Sequence, residues 1–412
     1  MITFILFFSA LTAGVILNLW LYSRHSHCVA THRDCVPVAF AEYISLDHHQ
    51  KAADYTLAKI RLERVDLVLK TITIIGWTVG GGLEYVFSWW SQFNLAPIWS
   101  EWLAIITVLL IGMMIDLPLS LWRNFFLEQR FGFNNSTVVL FFYDLFLAMF
   151  LGIVIGSPLI LSVLWLMKQA GGMWWVYAWV VWMSFTLLML WAYPTFIDPL
   201  FNRFIPLEAG ELRTRIEALL TRCGFSSQGV FMMDGSRRSA HSNAYFTGMG
   251  KAKRIVLFDT LVKQLTMEEL EAVLAHELGH YRHRHVQIRL LLNAILTLGG
   301  FALLGWLAGQ SWFYQNLGIK HYSDGSILLL FTLVIPVFMQ FLSPLIGWLM
   351  RMQEYQADKF AIAHTNGMSL IHALVKLYRD NAGTLTPDPL FSAFNDSHPP
   401  AALRIKHIEQ FL

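Results

Sequence analysis

The sequence is poor in charge. Asp, Glu, Lys and Arg together make up 14% of its 412 residues, where soluble proteins carry about 25%. That deficit excludes an ordinary water-soluble surface. The formal net charge is only +2, and no basic run or Arg-rich stripe appears, so a nucleic-acid partner is excluded on electrostatic grounds. Cysteine is scarce too. Cys28, Cys35 and Cys223 have no zinc-finger spacing and are read as free thiols of a reducing compartment, with a Cys28–Cys35 bridge left open. There is no internal repeat and no low-complexity linker.

Apolar residues are abundant instead, at 56% of the chain, with 16 Trp and 31 Phe. The mean hydropathy is +0.49. A bilayer span needs about 20 mostly apolar residues, and seven stretches qualify, at 2–22, 67–91, 102–122, 138–166, 173–197, 287–308 and 327–350. The second carries Lys70, Glu84 and Gly80-Gly81-Gly82 and is the weakest of the seven. The first lacks a basic flank and a small-x-small cleavage site and reads as a retained anchor. Lys and Arg concentrate in the 23–65 loop, at Arg123 and Arg130, and in 198–286, whereas the opposite loops hold only Lys168 and Lys320. The positive-inside rule therefore places the 198–286 segment in the cytoplasm. Asp116 and Asp144 lie within spans, where an acid marks either function or helix packing.

The chain divides on this reading into 1–197 with five spans, a catalytic segment at 198–286, two more spans at 287–350, and cytoplasmic helices at 351–412. Within the catalytic segment, a helix at 208–223 precedes strands at 230–234, 243–248 and 254–258, the last two joined by the Gly-rich turn MGKAK. Helices are expected in the tail at 351–364, 368–381 and 399–411.

Residues 276–280 read His-Glu-Leu-Gly-His. On a helix, His276 and His280 project from one face as a ready pair of zinc ligands, and Glu277 beside them can act on an activated water. Thr266 and Glu269 form a capping box that starts such a helix, and Leu270, Val273, Leu274 and Leu278 give it an apolar face. Gly279 lowers helix propensity by about 1 kcal/mol relative to Ala, and a residue so small would let another backbone approach. The bland alternative is two surface histidines on a solvated helix.

Catalytic zinc takes a third protein ligand from elsewhere. Glu354 and Asp358 are four apart on an expected helix just past the last span. Glu354 is the candidate ligand and Asp358 the acid that orients a ligand histidine. Spacing alone is equally compatible with an exposed acidic pair. His283 and His285 are ligands by type, but they fall off or at the end of the face of His280 and are read as surface or interface groups. Two His and a carboxylate also suit Fe(II), and the helix motif tips the choice to zinc.

Seven stretches, HQKAADYTLAKIRLE at 49–63, EQRFGFNNST at 128–137, DPLFNRFIPL at 198–207, HSNAYFTG at 241–248, HELGH at 276–280, EYQAD at 354–358 and HPP at 398–400, together resemble the type-1 CAAX prenyl protease family of integral-membrane gluzincin metallopeptidases. The resemblance implies a mainly α fold, seven transmembrane helices enclosing a chamber, with a small α+β zincin-like portion. It implies one Zn2+ held by His276, His280 and Glu354, with Glu277 as general base and Asp358 behind the ligands. It further implies that Asn243 contacts the substrate backbone, that His398 stabilises the oxyanion, and that Arg404, near it, also binds substrate. The partners would be the lipid bilayer and a peptide or protein substrate, prenylated or membrane-embedded. The chain stops at Leu412 without a long extension or retention signal, which suggests a bacterial inner-membrane member and sets prenylated substrates in question.

The expected activity is zinc-dependent endopeptidase cleavage. Its rivals are a quality-control membrane protease of the HtpX kind, a chamber-forming transporter, and a catalytically silent zinc scaffold.

Overall fold

The computed structural model describes residues 1–225, 229–247 and 254–412. Helices dominate, and the elements follow the apolar pattern. Six helices are long and apolar enough to cross a membrane. They begin with α1, Ile2–Thr31. Helix α4, Pro97–Trp122, continues through a π-helical turn to Phe131. Helices α5, Val138–Gln169, and α6, Trp174–Ala192, follow. The later spans are α10, His285–Ala308, and α11, Asp324–Met339, which runs on into α12, Ser343–His364.

A bent pair brings the count to seven if it is taken as one span. Helices α2, Leu46–Trp77, and α3, Gly82–Ser91, meet at 47°. The bend sits at the triple glycine that weakened this stretch in the sequence, and Gly81 adopts φ +76, a left-handed conformation natural to glycine. Most helices outrun the expected apolar stretches, because helix continues past the apolar window into polar sequence. Indole donors tie the spans together. Trp102 Nε1 donates to Ser157 Oγ at 3.0 Å, Trp90 Nε1 to Thr107 Oγ1 at 3.0 Å, and Trp179 Nε1 to the Ala294 carbonyl at 3.1 Å.

The catalytic portion holds a four-stranded sheet in the order β1-β2-β4-β3. Its strands are β1, Phe204–Pro206; β2, Val230–Met233; β3, Ala244–Thr247; and β4, Arg254–Phe258. Strand β2 runs parallel to β4, while β1 and β3 are antiparallel to their neighbours. Strand β3 is therefore an edge strand. The expected MGKAK turn lies outside the described residues.

Helix α7, Glu211–Arg222, and short α8, Asp259–Gln264, flank the sheet. Helix α9, Met267–Arg282, carries the HELGH motif. The tail forms α13, Gly367–Asp380; α14, Pro389–Asn395; and α15, Ala401–Glu409. Helix α14 was not expected from the sequence. Asp388 starts it by accepting from the backbone N–H groups of Leu390 and Phe391 at 3.1 and 2.9 Å. One apolar core joins sheet, α9, α13 and α15 through Leu219, Ile255, Leu257, Leu270, Leu274 and Ile405. Cys28, Cys35 and Cys223 are all free.

Asp144, within α5, is bound at both oxygens by Arg238 of the catalytic portion, at 2.7 and 2.9 Å. This intramembrane acid thus fastens the bundle to the segment leading into β3. Asp116 is exposed and has no hydrogen-bond or ion-pair partner among the described residues.

Candidate active site

The capping box forms as expected. The Thr266 hydroxyl accepts from the Glu269 N–H at 3.3 Å, and Glu269 Oε2 accepts from the Thr266 N–H at 2.8 Å. Lys376 on α13 also donates to Glu269 at 2.7 Å, so the start of α9 is anchored twice.

Gly279 sets how α9 meets α12. A Cβ built there would lie 2.8 Å from the Ala357 Cα, closer than real contacts allow. The glycine and the fully buried Ala357 bring the two backbones together. Glu354 and Asp358, on either side of Ala357, then reach across to the histidines of α9. Glu354 Oε1 lies 3.2 Å from His280 Nε2, and Glu354 Oε2 lies 3.4 Å from His276 Nε2. The two Nε2 atoms are 3.2 Å apart. One ligand atom from each of the three residues lies within 4.8 Å of the others.

Asp358 is fully buried and meets His276 Nδ1 at 2.9 Å. That contact orients the ring so that His276 Nε2 points toward Glu354. Arg404 donates from Nε to Asp358 Oδ2 at 2.9 Å and is itself buried. Arg404, expected beside His398 as a substrate contact, lines a cavity together with it. Its guanidinium is engaged by Asp358, because a carboxylate inside the protein needs a countercharge.

The donor set fits a divalent cation. Glu354 Oε2 is buried without a hydrogen-bond donor, although buried carboxylate oxygens normally have one. Burial and Arg404 push His276 toward its neutral form, yet Asp358 and Glu354 override them and hold its pKa at about 9. The cluster thus favours positive charge at its centre. Two imidazoles and one carboxylate form a set that leaves coordination positions open.

Glu277 is half-buried and has no hydrogen-bond or ion-pair partner among the described residues. Burial raises its pKa above the usual carboxylate value. It lines a cavity of about 490 Å³ together with Asn243, His280, Glu354 and His398. A second cavity, of about 140 Å³, also touches Glu277 and is walled by Leu261, Val273, Leu370 and Leu374. His398 borders both. Its Nε2 sits 3.5 Å from Glu354 Oε1, and its Nδ1 meets Ser397 Oγ at 2.9 Å. Its side chain is 61% exposed, and partial desolvation together with the nearby Arg404 lowers its pKa.

Two of the sequence stretches fasten strand β3 beside this cluster. In EQRFGFNNST, Asn134 bridges to Ser239, and the Phe133 carbonyl accepts from the Ala240 N–H at 3.0 Å. In DPLFNRFIPL, buried Asp198 accepts from the Tyr245 hydroxyl at 2.8 Å. Asn243, exposed at the head of β3, faces both cavities.

His285, expected at the surface or in an interface, is 1% exposed and lies between α9 and α12. Helix α9 ends at Arg282, and Arg284 takes φ +58. This left-handed residue turns the chain back, so His285 Nδ1 lies 2.9 Å from His280 Nδ1. Counting along a continuous helix hides such a return. His283 stays exposed.

Residues 25–203 match the model for the CAAX prenyl protease N-terminal region, five membrane helices, and residues 206–412 match peptidase family M48. The chain belongs to the CAAX prenyl protease 1 family. Members of that family similar to it include CAAX prenyl protease 1 of Saccharomyces cerevisiae, 36% identical over 72% of this chain and 69% of that one. The Caenorhabditis elegans homolog is 30% identical over 95% and 92%. The crystal structure of S. mikatae Ste24p superposes with a TM-score of 0.92 at 29% identity, covering 99% of both chains. As a member of the CAAX prenyl protease 1 family the chain is a multi-pass membrane metalloendopeptidase. Its fold is the mainly α, chamber-forming one with a small sheet. The HtpX-like, transporter and silent-scaffold readings give way. The relatives named are eukaryotic, and a bacterial source finds no support among them.

Proposed function

We propose that this protease uses one zinc ion held by His276, His280 and Glu354 to cleave prenylated CAAX-type peptides. The observation that carries the reading is the convergence of these three side chains next to a partnerless, half-buried Glu277. Zinc bound there would supply a Lewis acid that polarises the scissile carbonyl and acidifies water.

Glu277 takes a proton from the attacking water and returns it to the leaving amine. A raised pKa suits both steps, since the carboxyl must accept and then release within one turnover. His398 donates from Nε2 to the oxygen that gains charge, while its Nδ1 accepts from the Ser397 hydroxyl. Asn243 and the free edge of β3 hold the substrate extended through main-chain hydrogen bonds. Asp358 orients His276, and Arg404 neutralises Asp358. Leu190, Val286 and Leu290 in the larger cavity offer apolar surface to a lipid group, and Leu261, Val273 and Leu370 in the smaller one suit an aliphatic residue of the leaving peptide.

The distribution of Lys and Arg supports a cytoplasmic position for the zinc site. The same reading divides the chain into 1–197 and 287–350, which form the membrane chamber, and 198–286 and 351–412, which form the site.

The test is cleavage by the purified, detergent-solubilised protein of a farnesylated CAAX peptide and of an unprenylated membrane-protein fragment. Preference for the farnesylated peptide, lost with chelator and in Glu277→Gln, is expected. Preference for the unprenylated fragment would overturn the substrate assignment.

A further inference from the structure

His276 and His280 are supported in different ways. Behind His276 stands a carboxylate, Asp358, with its Arg404 countercharge. Behind His280 stands a second imidazole. His285 Nδ1 is 2.9 Å from His280 Nδ1, and His285 Nε2 is 2.9 Å from Gln356 Oε1. Gln356 lies on α12, two residues past Glu354. The relay therefore links both elements of the cluster and returns to the helix that carries its carboxylate.

With His280 Nε2 given to a metal, these contacts assign the remaining protons. A neutral imidazole that offers Nε2 to a metal carries its hydrogen on Nδ1. His280 must then donate from Nδ1, so His285 Nδ1 must accept. The remaining hydrogen of His285 sits on Nε2 and is donated to the Gln356 carbonyl oxygen. The arrangement is complete only if His285 is neutral and in this one tautomer. A neutral amide oxygen as its outer partner selects that state without adding charge.

We propose that His285 is a positioning residue for the metal. It acts as a neutral hydrogen-bond acceptor that holds His280 in its ligating tautomer and ring orientation, and Gln356 fixes His285 in turn. This rests on the reading of His280 as a ligand. It also gives the left-handed turn at Arg284 a purpose, since that turn brings His285 back to His280. A partner behind a ligand histidine contributes about 10–100-fold in metal affinity.

The experiment measures zinc affinity of the full-length protein in detergent, by competition with a chromophoric chelator. Wild type is compared with His285→Leu, His285→Asn and His280→Leu. Asn places an oxygen acceptor near the Nδ1 position, whereas Leu fills space without one. The proposal expects His285→Leu to bind zinc about 10–100-fold more weakly, and His285→Asn to stay within about threefold of wild type. Melting of the metal-free proteins is recorded alongside, because a purely structural role would lower stability and affinity alike in both variants. Equal weakening by Leu and Asn, or wild-type affinity in His285→Leu, would overturn the role of His285. If His280→Leu binds zinc like wild type, the ligand reading falls, and this inference with it.

Discussion

The membrane bundle and the catalytic portion use apolar side chains in opposite ways. In the span at Gly171–Phe201, none of the most apolar 18-residue window is buried within the protein, and at Val138–Gln169 only 6% is. In α9, Leu270, Ala272, Leu274, Ala275 and Leu278 are all buried against the sheet and the tail helices. Lipid tails are as apolar as leucine, so burial does not drive span against span, and sparse polar ties and packing hold the bundle. The catalytic portion is driven together by water, and it places atoms closely. Errors of an ångström are tolerable in a container wall but not in a cluster whose ligand atoms lie within 4.8 Å of one another.

Four substitutions test this contrast. Glu277→Gln should act most strongly, lowering turnover by about 10²–10⁴-fold while leaving the metal in place, because the proposed role of Glu277 is to accept a proton and not to hold the metal. Turnover and metal content measured on the same preparation check it, and a metal-free variant would count against the assignment. Asp358→Asn comes next. It keeps the shape but removes the charge behind His276, so metal affinity should fall about 10–100-fold in a chelator competition.

Gly279→Ala probes the crossing of α9 and α12. The added methyl meets backbone, not a flexible side chain, so the helices must separate at a cost of about 1–3 kcal/mol. A lower melting temperature with weakened metal binding is expected, and an unchanged variant would refute the close approach. The smallest effect belongs to Leu188→Ala on α6, where the side chain is 53% exposed. Stability should move by less than about 0.5 kcal/mol, and a loss of several times that would show that this face packs against protein.

Much of this was legible in the sequence because it depends on local periodicity. The spans follow from apolar run length, and the capping box at Thr266 and the shared face of His276 and His280 from residues three or four apart; the structure holds long apolar helices, the box and the face. The glycines between α2 and α3 marked that stretch as the weakest span, and the bend falls there; the close approach at Gly279 was signalled by its missing side chain. What stayed hidden depends on returns of the chain. The burial of His285 requires a positive φ at Arg284, a residue type that seldom adopts one. The engagement of Arg404 by Asp358 joins residues 46 positions apart. The start of α14 at Asp388 lies beside the membrane helix α1, whose Arg24 donates to the same carboxylate at 2.9 Å.

By itself, then, the sequence determined that this is a membrane protein carrying a metal-binding helix, since apolar run length and helical spacing are properties of neighbouring residues. Only the tertiary structure decided which carboxylate faces the histidines, which groups stand behind each of them, and which strand edge lies open beside Glu277. Those depend on the angle and distance at which α9 crosses α12, and that crossing is set by close packing at Gly279 and Ala357, residues with almost no side chain to read.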